Sequence, residues 1–400
     1  MSTVNYDAVI VGGGLAGLTA GLRLAKSGRK VAVIAKGDPA CSLSTGCIDV
    51  LGAADNPLAA MAALPAEHPY RLAGPERITA AIEFFRATMA ASGLNYHGEL
   101  SANRRIMTPI GSYKTTCLVP ESMAAADPAA HDELDLVAFT RLKDFFPAYI
   151  QARQPNARVH SFDAGATSSL AIAARLDDEA FRAHFIDWLK GLDLKAGKLC
   201  LPAVLGLEEH VTVLAEIRSA CGGEVFEIPT LPPSLPGLRL FKHLKQALQN
   251  LGGDLYWGRE IAAIERQKNG AIEAVTLKSS GRAARVQGRA FILASGAFVS
   301  GGLYAEQHGT VIETVFNLPT HAPAERESWF KPGFFERGHP IESAGVRVDE
   351  RFKPLESDYP NLWACGSVLA HGEITKHQCG HGLAIATGYA AAMSCEEFLA

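Results

Sequence analysis

Apolar and polar positions alternate along this chain in a way that reads as strand, turn, helix, strand from the start. Residues 7–11 (DAVIV) form a short apolar run that stops at glycine, the pattern of a buried parallel strand. Gly12-Gly13-Gly14-Leu15-Ala16-Gly17 follows, and Leu15, Leu18, Leu22 and Ala25 then recur at helical spacing until Gly28. Residues 30–35 (KVAVIA) predict a second apolar strand. Much later, residues 238–298 read as helix, strand, β-ribbon, strand. Leu240, Leu244 and Leu248 mark the helix, Gly252-Gly253 end it, and Asn269-Gly270 is a hairpin turn signal. The ribbon returns into an apolar run that closes on Ala294-Ser295-Gly296. Near the end, residues 345–349 predict a short strand, and Leu362-Trp363-Ala364 a second one running into Gly366-Ser367. Gln378-Cys379-Gly380-His381-Gly382 then opens an apolar helix that reaches Leu399.

Strand, glycine turn, helix and strand within about thirty residues is the context in which G-x-G-x-x-G binds a dinucleotide. Gly12 permits the tight turn, Gly14 lets the backbone approach a phosphate, and Gly17 lets helix pack on strand. Gly13, Leu15 and Ala16 complete that loop, and the helix N-terminus offers N–H groups and a positive dipole end to an anion. A ribose-binding acid is expected about 20 residues on. That place holds Ala35-Lys36, with Asp38 already past Gly37 in the loop, which disfavours an NAD enzyme.

The later pieces extend the same picture to flavin. Ser44, Thr45 and Gly46 suit a loop running under an isoalloxazine ring, where backbone must come close. Ala294, Ser295 and Gly296 end a strand after a ribbon, the third nucleotide contact of two-dinucleotide-type flavoproteins. Gly366 and Ser367, with Gly380 and Gly382 at a helix N-terminus, place positive dipole where reduced flavin gathers negative charge. The expected fold is therefore α/β, Rossmann-like and of the two-dinucleotide-binding flavoprotein type, made discontinuous by an inserted α+β cap. Its flavin domain is expected at 1–65, 236–310 and 340–400, the cap at 66–235, and a connecting segment at 311–339.

Composition narrows the class. Apolar residues make up 48% and charged residues 20% of 400 positions, ordinary for a globular chain. A net charge of −4 gives no reason to expect nucleic acid. The eight cysteines are scattered without a C-x-x-C pair, so neither an iron–sulfur cluster nor another metal site is expected. The first residues lack a basic n-region and no apolar run approaches the roughly 18 residues that span a bilayer. A cytoplasmic location is the expectation.

The glycine run 12–17, Pro229-Thr230-Leu231-Pro232-Pro233-Ser234, residues 293–303 (LASGAFVSGGL) and Gly366-Ser367-Val368-Leu369 are more specific taken together. With His68-Pro69-Tyr70, Thr108-Pro109-Ile110-Gly111, Cys379-Gly380 and Gly382, they resemble the B-subunit family of anaerobic glycerol-3-phosphate dehydrogenases, nearly end to end. The resemblance implies a flavin-dependent oxidation of sn-glycerol 3-phosphate to dihydroxyacetone phosphate with quinone as acceptor. It implies FMN as cofactor, with FAD the alternative that the N-terminal fold would suggest. It also implies an FAD-bearing A subunit and an iron–sulfur, membrane-associated C subunit, through which the chain would lie on the inner membrane. More distantly the chain is similar to succinate dehydrogenase and fumarate reductase flavoproteins, which also carry a lysine at the second strand's end.

Alcohol oxidation needs a base for the hydroxyl proton and cations for the phosphate. Lys114 and Arg239 are candidates for the phosphate, and His381 for the base, each competing with an ordinary surface or structural role. Two other readings remain open: an electron-relay or docking subunit without its own turnover, and a fumarate reductase-type flavoprotein.

Overall fold

The computed structural model describes residues 4–127, 132–194, 197–278 and 284–400. The chain forms two compact units, one of Met1–Ala40, Asp49–Thr88 and Leu244–Ala400, the other of Cys41–Ile48 and Met89–His243.

The first unit is built on a seven-stranded sheet among the described residues. Its order is Asp254–Trp257, Val31–Ala35, Val4–Val11, Ala284–Leu293, Ile272–Leu277 and Ile261–Arg266, and Leu362–Ala364 also pairs with Ala284–Leu293. The first four of these strands, and Leu362–Ala364, run parallel, whereas the ribbon strands are antiparallel. Val31–Ala35 is buried at every position, which is why it reads as a continuous apolar run rather than an alternating one. Helix Leu15–Lys26 follows the first strand directly, and the closing helix Gly380–Leu399 packs on it with Gly388 at the contact. A Cβ on Gly388 would lie 2.4 Å from the Ala16 carbonyl oxygen, so only glycine lets these two helices approach so closely.

The second unit combines antiparallel pairs, among them Arg104–Met107 with Tyr113–Thr116, and a parallel four-stranded sheet. The sheet order is Glu224–Ile228, Lys198–Pro202, Leu134–Phe139 and Ala157–Phe162. Its core is a cluster of aliphatic and aromatic side chains, with Phe139, Phe162, Phe185 and Trp188 in ring contact. The contact-based limits differ from those expected of the flavin domain and cap. Residues 66–88 join the first unit because helix Pro69–Ala73 packs on the closing helix, where the Tyr70 hydroxyl donates to the Val50 carbonyl at 2.8 Å. No helix among the described residues is long and apolar enough to cross a membrane.

His68 caps Pro69–Ala73, its Nδ1 accepting from the Tyr70 N–H at 3.1 Å. Burial, then the neighbouring His377, push its pKa down to about 4. A folded-state pKa below the unfolded value of 6.5 means that the unfolded chain takes up the proton first, so stability is full at neutral pH and lost as pH falls below about 6.5. Denaturant titrations are expected to lose about 2 kcal/mol between pH 7 and pH 5 through this residue. His68→Gln should flatten that slope.

Candidate functional site

The candidate site lies in the first unit, at the C-terminal ends of its parallel strands. Strand Val4–Val11 runs into Gly12, whose φ of +125° suits glycine alone. A Cβ there would meet the Ala294 carbonyl oxygen at 2.0 Å, and one on Gly17 would meet the Gly12 oxygen at 1.9 Å. Gly14 is different. It is the N-cap of Leu15–Lys26, no side chain caps that helix, and nothing lies within 4 Å of where its Cβ would be. Two glycines hold the turn together and the third leaves its backbone open.

The strand Ala284–Leu293 delivers Ala294, Ser295 and Gly296 beside this turn, with the Ala294 N–H donating to the Val11 carbonyl at 2.7 Å. The Ser295 Oγ is buried and finds no hydrogen-bond partner among the described residues. Gly296 has φ +80°, and a Cβ on it would lie 3.6 Å from the Ser367 Oγ. Gly366 turns with φ +80° against Ala16, its N–H bonded to the Thr387 Oγ1 at 2.9 Å. Gly380 opens the closing helix, and the Gly382 N–H donates to the Asp49 carbonyl at 2.9 Å. The glycine turn, Ser295, Gly296, Gly366 and Ser367 therefore converge on one end of the sheet.

Ala35 is buried at the end of its strand, while the exposed Lys36 pairs with Glu260 at 3.1 Å. Ala35, at the place expected for a ribose acid, pairs in register with Trp257, which no motif in the sequence marks. A Cβ on Gly13 would lie 2.5 Å from the indole and 2.8 Å from the Ala35 Cβ. The Trp257 Nε1 donates to the Asp38 carboxylate at 3.3 Å, and the Lys245 ammonium sits 5.1 Å from a ring centroid. Asp38 is thus engaged by an indole.

Ser44, Thr45 and Gly46 belong to the second unit. Their hydroxyls serve their own turn: the Ser44 Oγ donates to the Cys41 carbonyl at 2.7 Å and accepts from the Gly46 N–H at 3.2 Å. Lys114 lies on the Tyr113–Thr116 strand opposite Ile106. Arg239 is buried, its guanidinium bidentate on Glu227 at 2.6 and 3.0 Å, with Nε on the Gly206 carbonyl. Burial alone would raise the Glu227 pKa, and the Arg239 guanidinium overrides it, so the carboxyl stays below its ordinary range. Arg239 is an internal ion-pair partner in this structure. His381 is the second residue of the closing helix and half-buried. All eight cysteines are free thiols, and every one except Cys221 is buried.

Among known proteins, the chain matches the FAD binding domain family over residues 7–383. It is 30% identical to the probable B subunit of an anaerobic glycerol-3-phosphate dehydrogenase from Halobacterium salinarum, covering 98% of each chain. The chain belongs to the FAD binding domain family and to the B-subunit family of anaerobic glycerol-3-phosphate dehydrogenases. A second relative, the B subunit from Aliivibrio fischeri, is 28% identical, with 99% of this chain and 96% of that one covered. Among solved structures, a 3-ketosteroid delta1-dehydrogenase from Sterolibacterium denitrificans aligns over 99% of this chain at 12% identity and a TM-score of 0.48.

A flavin nucleotide fits what this family member presents. The open backbone at Gly14, the uncapped helix behind it and the unpartnered Ser295 Oγ are the donors that a phosphate-bearing cofactor requires.

Proposed function

We propose that this chain is the flavin-bearing B subunit of an sn-glycerol-3-phosphate:quinone oxidoreductase, oxidising glycerol 3-phosphate to dihydroxyacetone phosphate. The observation that carries the reading is the glycine turn with its open Gly14 backbone, in a chain alike from end to end to proteins named for that activity. A bound flavin supplies a two-electron acceptor. The protein's part is to hold its phosphate at Gly12–Gly17, to receive it with the Ser295 hydroxyl, and to set the dipole of Gly380–Leu399 toward the ring. The name of the relatives supports a complex. We take its other members to be an FAD-bearing A subunit and an iron–sulfur C subunit at the membrane, with this chain on the cytoplasmic side.

For the cofactor we favour FMN over FAD, although the family takes its name from FAD. Trp257 lies against Gly13 and Ala35, and Asp38, the carboxylate nearest the place expected for a ribose acid, is engaged by its indole. Released cofactor is expected to have the mass of FMN. Trp257→Ala removes the indole and frees Asp38, and it is expected to shift the released cofactor toward FAD. Mass spectrometry of the heat-released flavin from parent and variant checks this.

The electron-relay reading gains from one observation. Arg239, a candidate cation for the substrate phosphate, is committed to Glu227. Anaerobic addition of glycerol 3-phosphate to the flavin-loaded chain separates the two. Bleaching of the flavin band places substrate oxidation on this subunit; an unchanged band leaves a relay.

A further inference from the structure

We propose that the imidazole pair His321–His371 accepts the hydroxyl proton of the alcohol substrate. The proposal rests on the oxidation proposed above and names the group on this chain that completes it. The two residues are fifty positions apart in sequence and meet across the first unit. His321 ends the strand Thr320–His321 and pairs in register with Gly345. His371 follows the Gly366-Ser367-Val368 turn of the candidate site, its N–H donating to the Ser343 carbonyl at 2.9 Å. Val346, next to Gly345, bridges to Leu369 and accepts from the Ala370 N–H at 2.9 Å. A ring introduced at 321 or 371 is therefore fixed to the segment that leaves the site's glycine turn.

The rings lie 4.4 Å apart between centroids, tilted by 38°. Both side chains are half-buried, and no hydrogen bond to either ring is found among the described residues. Two other histidines of the chain do have such a bond: the His68 Nδ1 accepts from the Tyr70 N–H, and the His243 Nδ1 is bonded to the Ser92 carbonyl. The nitrogens of the pair at 321 and 371 are left available to a group from outside the protein.

The backbone points the same way. His371 has φ +62°, Glu373 φ +37° and Gln378 φ +49°, three non-glycine residues in the left-handed region within eight positions. Such conformations cost about 1–3 kcal/mol each and persist where surrounding structure imposes them. They occupy the stretch between Gly366 and the closing helix, both of them parts of the candidate site. Glu373 is held by Lys376 at 2.7 Å, which anchors the strained stretch two residues beyond His371.

In the step, the carbinol hydrogen would leave with the C–H electron pair as hydride, the two-electron acceptor being the flavin that the glycine turn would hold. The O–H electron pair becomes the second bond of the carbonyl, and the proton goes to an imidazole nitrogen. A proton acceptor at neutral pH must be neutral when substrate arrives. Burial lowers the pKa of both rings, and the groups facing them act in both directions. His321 and Arg347 disfavour charge on His371, while Glu67 and Glu373 favour it; Arg347 disfavours charge on His321. Two imidazoles this close share one proton more readily than they hold two.

The test uses the full flavin-loaded chain and the variants His371→Asn and His321→Asn. Asparagine tolerates the left-handed backbone at 371 and cannot take up the proton. Glycerol 3-phosphate is expected to bleach the flavin of His371→Asn about 10²–10⁴-fold more slowly than that of the parent, with the flavin spectrum before addition unchanged. A second readout does not depend on turnover. Proton NMR of the imidazole C2–H signals should show His371 titrating at higher pH in His321→Asn than in the parent, because a like charge has been removed. Parent-like bleaching in both variants, or a His371 titration that ignores His321, overturns the pair. A parent chain that carries flavin and is not bleached overturns the oxidation reading, and the pair with it.

Discussion

Gly14→Ala is expected to fold as the parent does and lose its flavin, whereas Gly17→Ala, three residues on, is expected to lose the fold. At Gly14 the backbone has φ −78° and ψ −177°, a conformation alanine adopts freely, and there is open space where its methyl would go. The same substitution narrows the unfolded ensemble, so the melting temperature should hold or rise slightly. The methyl would stand where the cofactor's phosphate has to approach. Losing one or two charge-assisted hydrogen bonds at about 1.5–3 kcal/mol each weakens binding by roughly 10–100-fold or more. At Gly17 the added carbon would lie 1.9 Å from the Gly12 carbonyl oxygen, a contact with backbone that no side-chain movement relieves. Helix Leu15–Lys26 would have to lift off its strand, at a cost of at least about 3 kcal/mol. Thermal unfolding and flavin affinity, measured on both variants, separate the roles. Should Gly14→Ala keep its flavin at parental affinity, the turn does not hold the phosphate.

That contrast shows which parts of this protein can be read from sequence. The spacing Gly12, Gly14, Gly17 encodes backbone approach, and backbone approach depends on the absence of side chains, which a sequence displays directly. The apolar strands 7–11, 31–35 and 290–293 were legible for a similar reason, because a strand buried on both faces shows a continuous apolar run. Arg239 reads as a candidate ligand cation because its exposure is decided by a partner twelve residues away. Glu227 stands between the apolar Phe226 and Ile228 on the buried part of strand Glu224–Ile228, and an acid there was the available sign of a buried ion pair. Trp257 and the His321–His371 pair had no such sign. The first covers Gly13 only because strand Asp254–Trp257 pairs with Val31–Ala35, and the second needs both a strand register and a left-handed histidine. Position in space, rather than residue type, carries those features.

Arg239→Met is expected to destabilise the second unit by about 3–5 kcal/mol, the usual result of leaving a buried charge without its partner. Both side chains are almost completely buried, at 2% and 0% exposure, so water cannot take over the role of the guanidinium. The Glu227 carboxylate would keep only its bonds within the unit, among them the Leu205 N–H at 2.8 Å. Protonation of Glu227 is the escape, and it sets the pH dependence. In the parent the folded-state pKa lies below the ordinary carboxyl value, so the pair's stabilisation is complete at neutral pH and is lost as pH falls through that depressed value. In Arg239→Met burial, the largest influence, is opposed only by the remaining hydrogen bonds to the carboxylate and raises the carboxyl, which reverses the sign: the variant should regain part of its lost stability as pH is lowered. A double variant, Arg239→Met with Glu227→Leu, removes both charges and should recover most of the loss. Urea denaturation of the parent, both single variants and the double variant at pH 7 and pH 5 tests the cycle. A small loss in Arg239→Met at pH 7 would mean that the guanidinium is not committed to Glu227, and would return Arg239 to the candidates for the substrate's phosphate.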